Sequence, residues 1–136
     1  MAIIRPFKAL RPTPELSQKV ASRPYDVLNS QEAKIEAAGN HYSFLRITKP
    51  EIDLPEGIDL HSMPVYKKAK ENLEKFITNG VLFSEETPCF YIYQLVMPSQ
   101  PVWNSKERSQ TGLVCVSSVK DYNNDVIKKH EFTRPD

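Results

Sequence analysis

A chain of 136 residues with 40% hydrophobic content has the length of one ordinary domain and enough apolar side chains to close a core without a disulfide staple or a structural metal. Its 18 basic and 17 acidic residues leave a formal charge of +1, which creates no field to gather a nucleic-acid backbone or anionic lipid and so disfavours both partners. The opening Met1-Ala2-Ile3-Ile4-Arg5-Pro6 is too short in apolar residues for a secretory leader, and no later run approaches the roughly 18 apolar residues of a membrane span, so the expected location is the cytoplasm.

Residues 3–10 are half apolar and closed by Arg11-Pro12-Thr13-Pro14, the pattern of an extended segment followed by a turn. Leu16 and Val20, four apart, read as one face of a short helix over about residues 15–21, which must stop before Pro24. After Arg23-Pro24-Tyr25-Asp26-Val27-Leu28, Asn29 and Glu32 have capping-box spacing and predict a helix through residue 38, ended by Gly39-Asn40. Residues 42–48 alternate well enough for a strand, and residues 50–57 read as an acidic, proline-punctuated surface loop.

The clearest element is a helix over residues 64–79. Pro64 suits its first turn and Gly80 the left-handed position after its end, while Val65, Ala69, Leu73, Phe76 and Ile77 form an apolar stripe. Residues 81–83 and 89–97 read as β, and residues 98–109 as a long hairpin loop leading to a strand at 111–119. Cys89 and Cys115 lie inside these apolar runs without Cys-x-x-Cys spacing, and are expected as buried, reduced thiols. Residues 121–125 read as a polar turn, and the charged ending Lys128-Lys129-His130-Glu131-Phe132-Thr133-Arg134-Pro135-Asp136 as the start of a further helix or loop. That ending has nothing left to pack against, so the expectation is either a frayed tail or the N-terminal part of a larger protein. The expected fold is α+β, a mostly antiparallel sheet built from strands near 42–48, 89–97 and 111–119 with the helix at 64–79 packed on one face.

Four glycines scattered at positions 39, 57, 80 and 112 exclude a glycine-rich phosphate loop or dinucleotide fingerprint. His41, His61 and His130 have no helical pairing with one another, so no metal site is expected. The sharpest chemical signal is His130-Glu131. A carboxylate beside an imidazole, flanked by Lys128, Lys129 and Arg134, suits proton abstraction from a hydroxyl while cations hold a phosphate. A charged surface corner accounts for the same residues. Arg23, Tyr25 and Asp26 before a helix suit the wall of a substrate pocket, and a buried tyrosine with a capping aspartate explains them as well.

Three segments, Ile4-Arg5-Pro6-Phe7-Lys8-Ala9-Leu10-Arg11-Pro12, Arg23-Pro24-Tyr25-Asp26-Val27-Leu28 and Ile127-Lys128-Lys129-His130-Glu131-Phe132-Thr133, resemble the N-terminal portion of the domain-of-unknown-function family numbered one thousand and fifteen. The resemblance covers the whole chain and implies that a further C-terminal portion completes the protein. A more distant likeness, a strand followed by a polar cluster and His-Glu, is to the fold shared by partition protein B, sulfiredoxin and the free-serine kinases. It implies that Glu131 acts as general base, His130 orients substrate, and Lys129 or Arg134 lies near phosphate. ATP or ADP with magnesium would serve the full-length protein, and no cofactor is expected on this segment alone. Lys129 stands where those kinases have proline, and their later Asp-Gly-His-His-Arg segment is absent here. The leading expectation is a nucleotide-dependent small-molecule kinase, with free serine as its candidate substrate. The alternatives are a non-catalytic ligand- or nucleotide-binding regulatory domain and a purely structural domain packed against the rest of its own chain.

Overall fold

The structure is a computed structural model that describes residues 1–99 and 106–128. Its class is α+β, with helices and short antiparallel sheets. Contacts divide the chain into two units, Leu10–Ser84 and a second made of Met1–Ala9 with Glu85–Asp136.

The unit Leu10–Ser84 is mainly helical. Its ends close on each other through strands β1 and β2, here Leu10–Pro12 and Leu82–Ser84, paired antiparallel with Arg11 opposite Phe83. Between them run α1 (Ser17–Val20), a 3-10 turn at Tyr25–Val27, α2 (Ser30–Glu36), α3 (Leu45–Thr48), a second 3-10 turn at Pro50–Asp53 and α4 (Met63–Thr78). The start of α2 is the predicted capping box. Asn29 Oδ1 accepts from the Glu32 amide at 2.9 Å, and Glu32 Oε2 accepts from the Asn29 amide at 2.8 Å, so two otherwise orphaned donors are satisfied reciprocally. The end of α4 is equally well defined. Gly80 adopts φ of 67°, its amide donates to the Ile77 carbonyl and the Val81 amide to the Phe76 carbonyl, and buried Val81 packs with Phe76.

Two apolar clusters fill this unit. One joins Leu28, Ala33, Ala37, Leu45 and Ile52; the other joins Val20, Phe76, Val81 and Leu82, with Leu16, Phe44, Ile47 and Leu73 packed against it. The segment 42–48, expected as a strand, is instead the turn leading into α3, and the clusters explain why. Phe44 and Ile47, three apart, share one cluster while Leu45 enters the other, a helical division that strand alternation would not give. The expected surface loop at 50–57 also begins differently, because Pro50 and Ile52 are buried in a 3-10 turn and the open loop follows them. On α4 the buried residues are Val65, Asn72 and Phe76, while Ile77 is 43% exposed. At about 100° per residue, Asn72 lies roughly 40° from Phe76 around the helix and Ile77 roughly 100° away, so Asn72 takes the inward place assigned to Ile77.

The second unit is built on β3 (Tyr91–Met97) and β4 (Arg108–Val114), an antiparallel pair in register from Tyr91 opposite Val114 to Met97 opposite Arg108. A short strand at Ile4–Arg5 pairs with another at Val116–Ser117, and Phe7 bridges to Cys89. Tyr91 fastens the N-terminal segment: its hydroxyl donates to the Phe7 carbonyl at 3.1 Å and accepts from the Ala9 amide at 3.0 Å, and its ring meets Phe7 edge-on at 5.2 Å. The expected polar turn at 121–125 is mostly the helix α5 (Val119–Asn123), capped by the Ser118 hydroxyl accepting from the Asp121 amide.

The expected three-stranded sheet under the long helix is therefore corrected. Each sheet among the described residues has two strands, and α4 packs on α3, on the Pro50–Asp53 turn and on β2. The strand pair at 91–97 and 108–114 exists, but it is not a buried centre, since Ile92 is 80% exposed and Leu113 55%. Its branched and aromatic residues fit a pleated backbone and signal strand propensity, not burial. Cys89 and Cys115 are free thiols, half-buried where full burial was expected.

Candidate functional site

Lys129, His130, Glu131 and Arg134 lie outside the described residues. The other candidates, Arg23, Tyr25 and Asp26, sit before and within the Tyr25–Val27 turn. Arg23 is fixed to α2: its Nε donates to Glu36 Oε2 at 2.6 Å and its amide to Oε1 at 3.3 Å. The hydrogen bond from the Arg23 side chain holds the Glu36 carboxyl below the ordinary carboxylate range; desolvation opposes it, and the Arg23 backbone amide and charge add lesser support. Tyr25 is 61% exposed and Asp26 is exposed as well, and the turn has no side-chain cap, so the buried tyrosine and capping aspartate weighed above are not found. A shallow groove runs along Arg23, Glu32, Ile35 and Glu36, and Tyr25 and Asp26 are not among its lining residues.

A second group of polar residues, scattered in sequence, comes together between α3 and α4. The Arg46 guanidinium is engaged on all three sides: Nη1 pairs with Asp53 Oδ1, Nε donates to the Asn40 carbonyl at 3.0 Å and Nη2 to the Ala37 carbonyl at 3.0 Å. Asn72 Nδ2 donates to the Arg46 carbonyl at 2.7 Å and to Asp53 Oδ2 at 3.1 Å. This network closes the end of α2, where the Ala37 carbonyl accepts from the Arg46 side chain and from the Asn40 amide at 3.1 Å. It also forms the floor of a cleft of about 410 Å³ whose rim carries His41, Lys68, Lys75 and Asn79. The sequence contained one signal of it, a polar asparagine interrupting the apolar stripe of α4.

A smaller cavity of about 270 Å³ lies between α2 and the loop that follows the Pro50–Asp53 turn. Its charges are matched internally, with Lys34 Nζ 3.0 Å from Glu56 Oε1 and the Ser30 hydroxyl donating to Glu51 Oε1 at 2.7 Å. Among the described residues no group of three His, Cys, Asp or Glu side chains is arranged to hold a metal ion, and no helix is long and apolar enough to cross a membrane.

Neither the curated proteins nor the solved structures contain a match to this chain. A family model does match, that of DUF1015, described as protein of unknown function, and the match runs over residues 4–136. With nearly its full length matched and the three signature segments present in order, the chain belongs to the DUF1015 family.

Proposed function

We propose that the chain forms part of a nucleotide-dependent phosphotransferase acting on a small hydroxyl-bearing metabolite, with free serine the leading candidate. The observation that carries this reading is the segment Lys128-Lys129-His130-Glu131 with Arg134 close behind, which places a proton acceptor among several cations. In this reading the Glu131 carboxylate takes the proton of the substrate hydroxyl as its oxygen attacks the terminal phosphorus of ATP or ADP, held as its magnesium complex. The bond from that phosphorus to the remaining nucleotide breaks, and the electron pair leaves on the nucleotide oxygen. His130 orients the hydroxyl, and Lys129 or Arg134 offsets charge on the phosphoryl oxygens. Such a division suits phosphoryl transfer, where positioning and charge stabilisation carry most of the catalysis. Arg23, Tyr25 and Asp26 are separate proposed substrate contacts on their own unit, supported by the accessibility of Tyr25 and Asp26.

The test is made on the full-length protein, incubated with serine, magnesium and either ATP or ADP, with phosphoserine followed by phosphorus NMR. Turnover is expected with one nucleotide, and Glu131→Gln should lower it by about 10² to 10⁴. Nucleotide binding without phosphoserine would support the non-catalytic alternative. Equal turnover in the variant would remove Glu131 from the chemistry.

A further inference from the structure

The cleft between α3 and α4 lies wholly within the unit Leu10–Ser84, and the phosphotransferase reading assigns it no role. Its volume of about 410 Å³ falls within the roughly 300–1,000 Å³ of small-molecule sites. One wall is a polar row of Lys68, Asn72 and Lys75 on α4 with Asn79 at its C-cap, at the i, i+4, i+7, i+11 spacing that stacks side chains along one side of a helix. This row runs beside the apolar stripe and is distinct from the solvated lysines 67 and 70 on the same helix.

Two features of the row point to an anion. Lys75 has no ion-pair partner among the described residues, and Lys68 reaches Glu71 only at 3.9 Å, so two ammonium groups are available at the cleft. The acidic lining residue, Asp53, is already matched by Arg46. Asn72, 6% exposed, donates two hydrogen bonds from Nδ2, and no donor reaches its Oδ1 among the described residues. Asn72 lines the cleft and its Oδ1 is not a fully buried unpartnered atom, so it can serve as an acceptor for a ligand hydroxyl.

The arginine fork at the cleft, which could grip a carboxylate or a phosphate bidentately, is fully used within the protein, so the two lysines are what is left for an anion. Lysines act instead as point charges suited to phosphate oxygens. Lys68 and Lys75 are two helical turns apart, about 10.5 Å along the axis, with Asn72 between them in the row and flexible stems that can swing toward a shared ligand. A phosphate monoester carries roughly −1.5 to −2 at neutral pH and matches the two ammonium groups. We propose that this cleft binds the phosphate monoester of a small hydroxylated metabolite, with Lys68 and Lys75 on the phosphate and Asn72 Oδ1 on a hydroxyl.

The experiment is a nitrogen-15 NMR titration of the full chain with glycerol 3-phosphate at constant ionic strength, beside parallel titrations with inorganic phosphate and with glycerol. Saturable shifts are expected around residues 41, 68, 72, 75 and 79 with the ester, weaker binding of inorganic phosphate, and none of glycerol. The double variant Lys68→Gln/Lys75→Gln should weaken ester binding by about tenfold or more, because each charged hydrogen bond is lost at the site. Lys67→Gln/Lys70→Gln, which removes the same charge from the solvated side of α4, should leave it unchanged. Shifts that never saturate, or an equal loss in both double variants, would overturn the site. Inorganic phosphate binding as tightly as the ester would overturn the monoester assignment. If the first double variant does not fold, as read by circular dichroism, the wild-type titration decides alone.

Discussion

The side-chain amide of Asn72 donates to the backbone carbonyl of Arg46 at 2.7 Å, and through this bond α4 holds α3 in place. The same nitrogen reaches Asp53 at 3.1 Å, so one buried polar group on α4 serves a helix and the 3-10 turn that follows it. Asn72→Ala removes both bonds and leaves the partners' acceptors in a part-buried setting. A loss of about 1 to 3 kcal/mol is expected by urea denaturation, the range for an unsatisfied buried polar group. Asn72→Leu refills the volume without restoring the bonds. Its stability should stay below wild type, and recovery to wild-type stability would show that volume alone matters at this position.

Leu45 is the largest fully buried side chain, in the cluster with Leu28, Ala33, Ala37 and Ile52. Leu45→Ala should destabilise by about 2 to 5 kcal/mol, combining lost transfer energy with a residual cavity. Leu73 packs only partly buried against the other cluster, so Leu73→Ala should fall clearly below the Leu45 value. Chemical denaturation of the two variants side by side checks the order, and a larger loss at Leu73 would contradict this division of the core.

The capping box gives a local prediction. Asn29→Ala deletes the acceptor for the Glu32 amide and should reduce stability by about 0.5 to 2 kcal/mol, whereas Asn29→Asp or Asn29→Ser should retain most of it. Thermal melts of the three variants are sufficient.

Glu36 titrates below the ordinary carboxylate range because Arg23 hydrogen-bonds its charged form. A carboxyl whose folded pKa is depressed contributes stability above its unfolded pKa and loses it as pH falls through the folded value. The contribution is therefore present at neutral pH and disappears only in acid, below the usual carboxylate midpoint. It is small, since the pair is largely solvated. Arg23→Gln should move the Glu36 midpoint upward in a carbon-13 carboxyl titration, and an unchanged midpoint would mean that the pair does not persist in solution.

Legibility in the sequence followed the range of the interactions. The boundaries of α2 and α4 were readable because Asn29, Glu32, Pro64 and Gly80 act within a few residues of themselves. The α3 segment was misread because four residues give too little period to separate a turn of helix from a strand, and its conformation is settled by two clusters assembled from distant parts of the chain. Strand propensity at 91–97 predicted the strand and its partner but not its exposure, which depends on what packs against it. Of the cleft the sequence carries one trace, Asn72 within the α4 stripe; its partners Arg46 and Asp53 have no signature spacing and meet it only after α3 and α4 have packed.

The pairing of Ile4 with Ser117 sets an order on biosynthesis. Everything from Leu10 to Ser84 is contiguous, so its partners are all present once that stretch has left the ribosome. The first strand must wait while more than a hundred further residues are added, roughly 5 to 20 seconds at ordinary elongation rates. Through that interval Ile4 and Arg5 lack the strand that will pair with them. Ile4 and Arg5 thus reach their native strand hydrogen bonds only after the whole Leu10–Ser84 stretch has been made, and a nascent-chain holdase has its opportunity in that interval.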